Sequence, residues 1–212
     1  MARYKKGILG SFRGTVGTVV GSVWKGIKYM RSIADVSHSK PSLKQEAQRA
    51  RFSLVSKFTQ PLSPLLNITF ASYADKKTGA NYVFQYMMKN VLTGIYPNLS
   101  LDFSKTIVAK GALSNGGSPS AIQGATGEIK FGWTDNSGNG NANATDKAIL
   151  VAYCEELDEA VYKLPGANRS DSSDVLSVQR FSGKQAHTWL AFISEDESEI
   201  ATSIYTGLVD VG

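Results

Sequence analysis

Positively charged and aromatic side chains alternate along the first part of this chain, and this combination can hold a polyanion. Cations pair with phosphates and aromatic rings stack on bases, so such a surface binds nucleic acid with strong salt dependence and little sequence preference. The same side chains can instead anchor an arm on an acidic protein surface. The candidate contact residues are Arg3, Tyr4, Lys5, Lys6, Arg13, Trp24, Lys25, Lys28, Tyr29, Arg31, Arg49 and Arg51. The sequence leaves both partners open.

The charge of the chain is unevenly distributed. Residues 1–60 carry twelve Lys and Arg against two acids, whereas residues 125–212 carry six basic and fourteen acidic residues. The formal net charge of the whole chain is only +5. Opposite charges at the two ends favour head-to-tail contacts between copies, which close into rings or continue as filaments. We therefore expect a homo-oligomer.

Residues that could catalyse a reaction are sparse. His38 and His187 are the two histidines, and neither has a partner at the spacing of a zinc site. The sequence contains no nucleophile elbow, phosphate-binding loop or dinucleotide fingerprint. Carboxylates cluster at residues 155–159 and 195–199, both in predicted hairpin loops where charges are usually solvated. We expect no enzyme activity, no cofactor and no small-molecule substrate.

The loop at residues 135–146 is rich in oxygen ligands that calcium could use. It lacks the acidic spacing and the closing Glu of a calcium-binding loop, so a flexible loop is the favoured interpretation.

Cys154 is the single cysteine, which excludes a disulfide within the chain, and its apolar surroundings predict burial. The chain shows no signal-peptide pattern and no stretch of eighteen apolar residues, which predicts cytoplasmic synthesis and no membrane span.

The basic residues must be positioned by a small set of N-terminal elements. β-Branched residues predict a strand over Thr15 to Trp24, followed by a turn at residues 25–26 and a return strand over residues 27–31. A helix is predicted to start at Ser42, capped by Gln45, and to end near Pro61. A second helix is predicted over residues 79–92, followed by strands at residues 99–103 and 107–113.

The C-terminal part has the pattern of a β-sandwich. Residues 114–127 are rich in Gly and Ser and predict a flexible linker. Beyond it, short strands are predicted at residues 128–133, 147–154, 160–163, 175–180, 186–193 and 203–208. Their spacing is typical of an antiparallel immunoglobulin- or fibronectin-like sandwich with Trp133 or Trp189 in its core. The predicted fold class is α+β, with a basic hairpin and helical domain over residues 1–113 and a sandwich domain over residues 128–212.

With these segments placed, the chain resembles an uncharacterised family of proteins from Bacteroidota. The similarity covers most of the length and is carried by residues 2–10, 17–26, 29–32, 131–135, 146–153 and 203–205. It implies a bacterial or bacteriophage source. The family has no assigned activity, so the resemblance transfers no catalytic residue.

Two functions are consistent with these features. The first is a non-enzymatic structural protein that self-assembles through its basic N-terminal arm, with a phage-type virion component as its specific form. The second is a nucleic-acid-binding module that uses residues 1–60 as its contact surface. The charge of the arm supports both functions, and the acidic sandwich favours the first.

Overall fold

The structure is a computed structural model that describes residues 3–4, 10–24, 26–34, 40–74 and 77–212. The chain forms two compact units, Met1–Ser42 and Leu43–Gly212. The sequence predicted a division at residues 114–127 instead, where the charge changes sign. The observed division follows packing, because residues from the helices and from the C-terminal strands share one hydrophobic core.

The first unit is a four-stranded antiparallel sheet in the order β1-β2-β3-β4. Its strands are β1 (Arg3–Tyr4), β2 (Phe12–Val16), β3 (Val19–Trp24) and β4 (Ile27–Ser32). The predicted hairpin is confirmed by the pairing of β3 with β4, in which Trp24 lies opposite Ile27. Gly26 adopts a positive φ of 84°, which the turn requires and which other residues rarely adopt.

The single strand predicted over Thr15 to Trp24 is corrected by a second turn. Val16 ends β2 and pairs directly with Val19 at the start of β3. Gly17, between them, has a φ of 55°, so the glycine reverses the chain within a run whose other residues favour strands. The arm is therefore a meander of consecutive strands instead of a single hairpin.

The second unit begins with helices α1 (Leu43–Thr59), α2 (Ser63–Thr69) and α3 (Gly79–Asn90). Helices α1 and α3 begin where the sequence predicted, and the Thr78 hydroxyl caps α3 by accepting a hydrogen bond from the Asn81 amide at 3.2 Å. Helix α2 was not predicted, because its proline was interpreted only as a helix breaker. Pro64 lies in the first turn, where a missing amide hydrogen leaves no helical bond unmade.

A two-stranded sheet follows α3, formed by β5 (Leu92–Ile95) and β6 (Asn98–Leu101). Strand β6 corresponds to the strand predicted over residues 99–103. The strand predicted over residues 107–113 does not form, since only isolated bridges to Ala201 occur at its end. Backbone hydrogen bonds in this segment are instead made with residues 200–203, as where the Ser203 hydroxyl accepts from the Val108 amide.

The C-terminal strands form two antiparallel sheets, in the orders β11-β8-β7 and β10-β9-β12-β13. Their bounds are β7 (Gly117–Gln123), β8 (Glu128–Thr134), β9 (Lys147–Cys154), β10 (Glu159–Lys163), β11 (Ser173–Ser177), β12 (Gln185–Ile193) and β13 (Ile204–Asp210). Strand β7 occupies half of the segment predicted as a linker, which corrects that prediction. Its register shifts between Gly117 and Ser120, which accommodates residues that disfavour a regular strand.

The four-stranded sheet is buried on both faces. Ile149, Val151 and Tyr153 of β9 pack with the helices, whereas Leu150 and Cys154 pack against the three-stranded sheet. The sequence of a strand buried on both sides is a continuous run of apolar residues. This explains why the strand at residues 147–154 could be predicted. The second unit therefore has three layers, namely helices, the four-stranded sheet and the three-stranded sheet.

Both tryptophans proposed for the core are buried, and their indole nitrogens are satisfied. Trp189 donates to the Thr106 carbonyl at 3.1 Å, and Trp133 donates to the Arg169 carbonyl at 2.7 Å. Cys154 is buried, as predicted. None of the helices in the described ranges is long and apolar enough to cross a membrane.

Replacing Phe58 with Ala is expected to lower the free energy of unfolding by about 3–5 kcal/mol. The Phe58 ring is fully buried in α1 and contacts the rings of Tyr153 and Trp189 at centroid distances of 4.9 and 5.7 Å. Phe52→Ala, the same change on the same helix at a side chain that is 56% exposed, is the control and should cost no more than about 1 kcal/mol. Urea unfolding measures both, and equal losses would contradict this packing.

Candidate assembly surface

The cross-strand register of the first unit places two of its arginines, Trp24 and Tyr29 on one face. Ser22 lies opposite Tyr29, Trp24 opposite Ile27, and Val20 opposite Arg31. Cross-strand partners project from the same side of a sheet, and alternate residues along a strand do so too. The basic face therefore consists of Arg13, Thr15, Val20, Ser22, Trp24, Ile27, Tyr29 and Arg31. This arrangement joins residues eighteen positions apart into one surface.

The opposite side of the same sheet is apolar. This apolar face consists of Phe12, Val16, Val19, Val23 and Met30, with Lys28 as its cation. A Cβ atom added at Gly21 would collide with the Phe12 backbone carbonyl oxygen and come within 2.8 Å of the Phe12 ring. The glycine is thus required by the close approach of the Phe12 backbone and side chain. The result is a sheet with two chemically different sides.

The N-terminal sheet has almost no interior of its own. Among the described residues of this unit, only Gly21 is buried. Trp24, Ile27 and Met30 are 61%, 63% and 70% exposed. A few strands without a buried face are only marginally stable in water, and exposed apolar groups of this kind mark surfaces that contact another molecule. Both faces of the arm are therefore candidate contact surfaces.

The structure brings together only some of the residues proposed from the sequence. Arg13, Trp24, Tyr29 and Arg31 share the basic face, whereas Lys28 projects from the apolar face. Arg49 and Arg51 belong to α1 in the second unit, and Arg3 and Tyr4 form β1. Lys5, Lys6, Lys25 and His38 lie outside the described residues. Ile27 was overlooked, although the alternation of side chains opposite Trp24 signals its position.

A buried ion pair organises the loops at one end of the C-terminal sheets. Arg169 is fully buried, and its Nη2 and Nε atoms lie 2.9 and 3.1 Å from Oδ2 of Asp146. The guanidinium also donates to Oδ1 of Asn136 and to the Ser114 carbonyl, both at 2.7 Å, and lies over the Phe192 ring. One side chain thereby ties together the segments before β7, after β8 and before β9.

This ion pair changes the interpretation of the loop at residues 135–146. The carboxylate of Asp146 belongs to the loop that was considered for calcium binding, and it forms a salt bridge with Arg169. Asp135 at the other end of the loop accepts hydrogen bonds from Ser137, which lower the pKa of its carboxyl. Within the described ranges, no three His, Cys, Asp or Glu side chains are grouped as a metal site would need.

His187 is a structural residue of β12. Its ring stacks on Phe103 at a centroid distance of 3.9 Å, and its Nδ1 lies 2.8 Å from the Tyr205 hydroxyl. Burial lowers the pKa of His187 from 6.5 to about 4, because the charged imidazolium loses its hydration there. The ring is therefore neutral at physiological pH and packs as an aromatic group.

The two acidic clusters differ in their ion pairs. In the first, Asp158 pairs with Lys57 at 2.8 Å, Glu156 pairs with Lys184, and Glu159 lies 4.0 Å from Arg180. In the second, at residues 195–199, the described residues supply no ion pair. Asp196 there accepts hydrogen bonds from Ser194 and Ser198, which lower the pKa of its carboxyl to about 2. Asp196 therefore keeps its negative charge at neutral pH.

The chain belongs to a family of unknown function, DUF6266, whose model matches residues 11–207. The matched range includes β2 to β4 of the arm and nearly all of the second unit, so the arm is part of what defines the family. No curated protein matches the chain.

Replacing Arg169 with Met is expected to lower the free energy of unfolding by about 3–5 kcal/mol, because the carboxylate of Asp146 stays buried without its cation. Arg180→Met removes a cation whose side chain is 81% exposed and should change stability by about 0.5 kcal/mol or less. Urea unfolding of both variants provides the comparison. A loss for Arg169→Met as small as that of the control would show that the pair does not stabilise these loops.

Lowering the pH from 7.5 to 4.5 is expected to destabilise the fold through His187. Its pKa is about 4 in the folded chain and 6.5 in the unfolded chain, so the unfolded chain takes up the proton first. The contribution of the neutral ring is complete above pH 6.5 and is lost as the pH falls toward 4. Guanidinium unfolding midpoints across this window should decline less steeply for His187→Gln, and equal slopes would refute the assignment.

Proposed function

We propose that this protein is a non-enzymatic structural protein that self-assembles through its N-terminal arm, in the form of a phage-type virion component. The observation that carries the proposal is the N-terminal sheet, which exposes apolar side chains on both faces and buries only Gly21 among its described residues. Such a sheet gains most of its stability by being covered. A neighbouring copy provides a surface that is always present at matching concentration.

The size of the arm indicates how many contacts it needs. With strands about 4.8 Å apart and a rise of about 3.4 Å per residue, the three longer strands present roughly 300 Å² on each face. Covering one face removes roughly 600 Å² from water on the two partners together, below the roughly 1,000 Å² of a stable specific interface. Covering both faces reaches about 1,200 Å² in total. This favours an arm enclosed by neighbours in an extended assembly.

The charge distribution supports contacts between unlike parts of neighbouring copies. The residues of Met1–Ser42 carry a net charge of +7, with eight cations and one acid, and those of Leu43–Gly212 carry a net charge of −2. Two basic faces repel each other, whereas a basic face meets an acidic unit favourably. A contact between different surfaces propagates as a ring or filament.

The C-terminal strands form part of the same proposal as an immunoglobulin-like module. If β7 to β13 are lettered A, B, C, C′, E, F and G, the two sheets have the orders A-B-E and C′-C-F-G. This is the arrangement of immunoglobulin-class sandwiches with a C′ strand. Such modules serve widely as rigid display and contact units, which suits a structural role.

A nucleic-acid-binding module remains the second candidate, because one observation favours it. Arg13, Arg31, Trp24 and Tyr29 are all exposed on the basic face, where cations can contact phosphates and rings can stack on bases. In that case the arm binds the polyanion without sequence preference. The bound nucleic acid then covers the basic face, in place of the acidic unit of a neighbouring copy.

Light scattering of the purified full chain at about 50 mM and about 500 mM salt separates the two functions. Self-assembly predicts oligomers that resist nuclease, have the 260/280 nm absorbance ratio of protein, and shrink at high salt as charge contacts are screened. Co-purifying nucleic acid whose removal leaves monomers would support the second candidate. A monomer under every condition would refute self-assembly.

The double variant Trp24→Ala with Ile27→Ala tests the arm. It removes a cross-strand pair of exposed apolar side chains from the basic face, so it should weaken assembly at least about tenfold while leaving thermal unfolding of the second unit unchanged. Ile122→Ala with Leu208→Ala is the matched control, since both side chains are exposed apolar groups of the second unit. Equal effects of the two double variants would contradict a specific role of the arm.

A further inference from the structure

An acidic cleft lies at one end of the sandwich, between the loop before β9 and the turn after β12. Its volume is about 550 Å³, and its polar wall includes Asn141, Asn143, Asp146, Glu195, Asp196 and Glu199. The cleft is therefore large enough for a long side chain together with part of its backbone. Its polar groups are mostly hydrogen-bond acceptors that carry negative charge.

The negative charge of this cleft is not neutralised within the described ranges. Glu195, Asp196 and Glu199 form no ion pair there, although Glu199 accepts a hydrogen bond from Asn141 at 2.8 Å. The other acidic cluster of the chain is paired with Lys57 and Lys184. A concave surface concentrates the field of its charges, so this cleft attracts a cation.

Asp146 provides a second, independent indication of a missing donor. It is fully buried in the wall of the cleft, and its Oδ2 accepts from Arg169 and from the Asn143 amide. Its Oδ1 accepts no hydrogen bond from any described residue. A buried carboxylate oxygen without a donor costs free energy, so this wall of the cleft favours a ligand that brings hydrogen-bond donors.

We infer that this cleft receives a basic side chain, Arg13 or Arg31, from the arm of a second copy. A guanidinium offers five donors in a planar fork, enough to meet several carboxylate oxygens at once. The basic face carries both arginines in exposed positions, so the chain supplies a ligand of the required charge and length. A bare metal ion suits the cleft less well, because the described acids do not gather around a single point.

This inference rests on the proposed self-assembly and specifies which surfaces meet. It turns the general attraction between a basic arm and an acidic unit into a contact between the basic face and one cleft. The first acidic cluster is excluded as the partner surface because its charge is largely compensated within the chain.

The test compares two full-length variants that remove the same charge. Glu195→Gln with Glu199→Gln removes two negative charges from the cleft and keeps an oxygen acceptor at residue 199 for Asn141. Glu155→Gln with Glu197→Gln neutralises two exposed acids outside the cleft wall. The cleft variant should weaken assembly at least about tenfold at about 50 mM salt, as for lost interfacial charge pairs, and the control should match the wild type.

A charge exchange shows whether the two surfaces touch. The variant Arg13→Glu with Arg31→Glu and the variant Glu195→Arg with Glu199→Arg should each fail to assemble alone. An equimolar mixture should assemble, because each chain then meets a partner of opposite charge. Light scattering of the separate and mixed variants provides the measurement, and thermal unfolding verifies that each variant folds.

Three results would overturn the inference. Assembly of the cleft variant at the wild-type level would place the arm elsewhere and leave self-assembly intact. Failure of the mixture to assemble would mean that the two surfaces do not meet. Calcium binding by the wild type that is lost in the cleft variant, with assembly unchanged, would make the cleft a metal site. A monomeric wild type would instead refute the proposed function itself.

Discussion

The fold of the second unit depends on burying both faces of the four-stranded sheet. The buried residues of the helices share one cluster with one face of the central sheet, and those of the three-stranded sheet share a second cluster with its other face. Phe58 and Trp189 make the contact on the helical side, and Phe131 and Leu190 make it on the other. The four-stranded sheet therefore joins two cores that would otherwise lie in separate domains.

The first unit follows the opposite rule. Its strands pair regularly, yet Gly21 is the single buried residue among those that the structure describes in this unit, and Trp24 and Met30 remain largely exposed. The described residues of this unit supply no layer that covers the sheet. The contrast between a unit that satisfies its own hydrophobic surface and one that does not is the physical basis of the assembly proposal.

The sequence predicted the elements whose signal is local. The strands at residues 147–154 and 186–193, the starts of α1 and α3, and the hairpin around residue 26 all follow from apolar patterns or turn chemistry. Strand β7 was missed because Gly117 and Pro119 suggest a loop, while its strand conformation comes from pairing with β8. The turn at Gly17 was missed because the β-branched residues on both sides of it favour one continuous strand.

Contacts between residues far apart in the sequence could not be predicted from local apolar patterns or turn residues. Arg169 and Asp146 are twenty-three positions apart, and the local sequence around neither residue predicts that they form an ion pair. The faces of the arm likewise needed the register of β3 with β4, which a shift by one residue would have reversed. The types of the twelve residues proposed for the contact surface indicated a surface that binds anions or proteins. The structure was needed to show which of these residues lie on the same face of the arm.

Burial of both faces has a consequence for how β9 keeps its alignment. In a half-exposed strand, a slip of one residue is penalised by moving polar groups inward, but β9 is apolar on both sides. Its alignment is instead encoded by size at the C-terminal end of the strand, where Tyr153 lies toward the helices while Ala152 and Cys154 lie toward the other sheet. A slip would drive a tyrosine into a space shaped for a methyl or thiol group. Steric volume therefore replaces polarity as the information that specifies this strand.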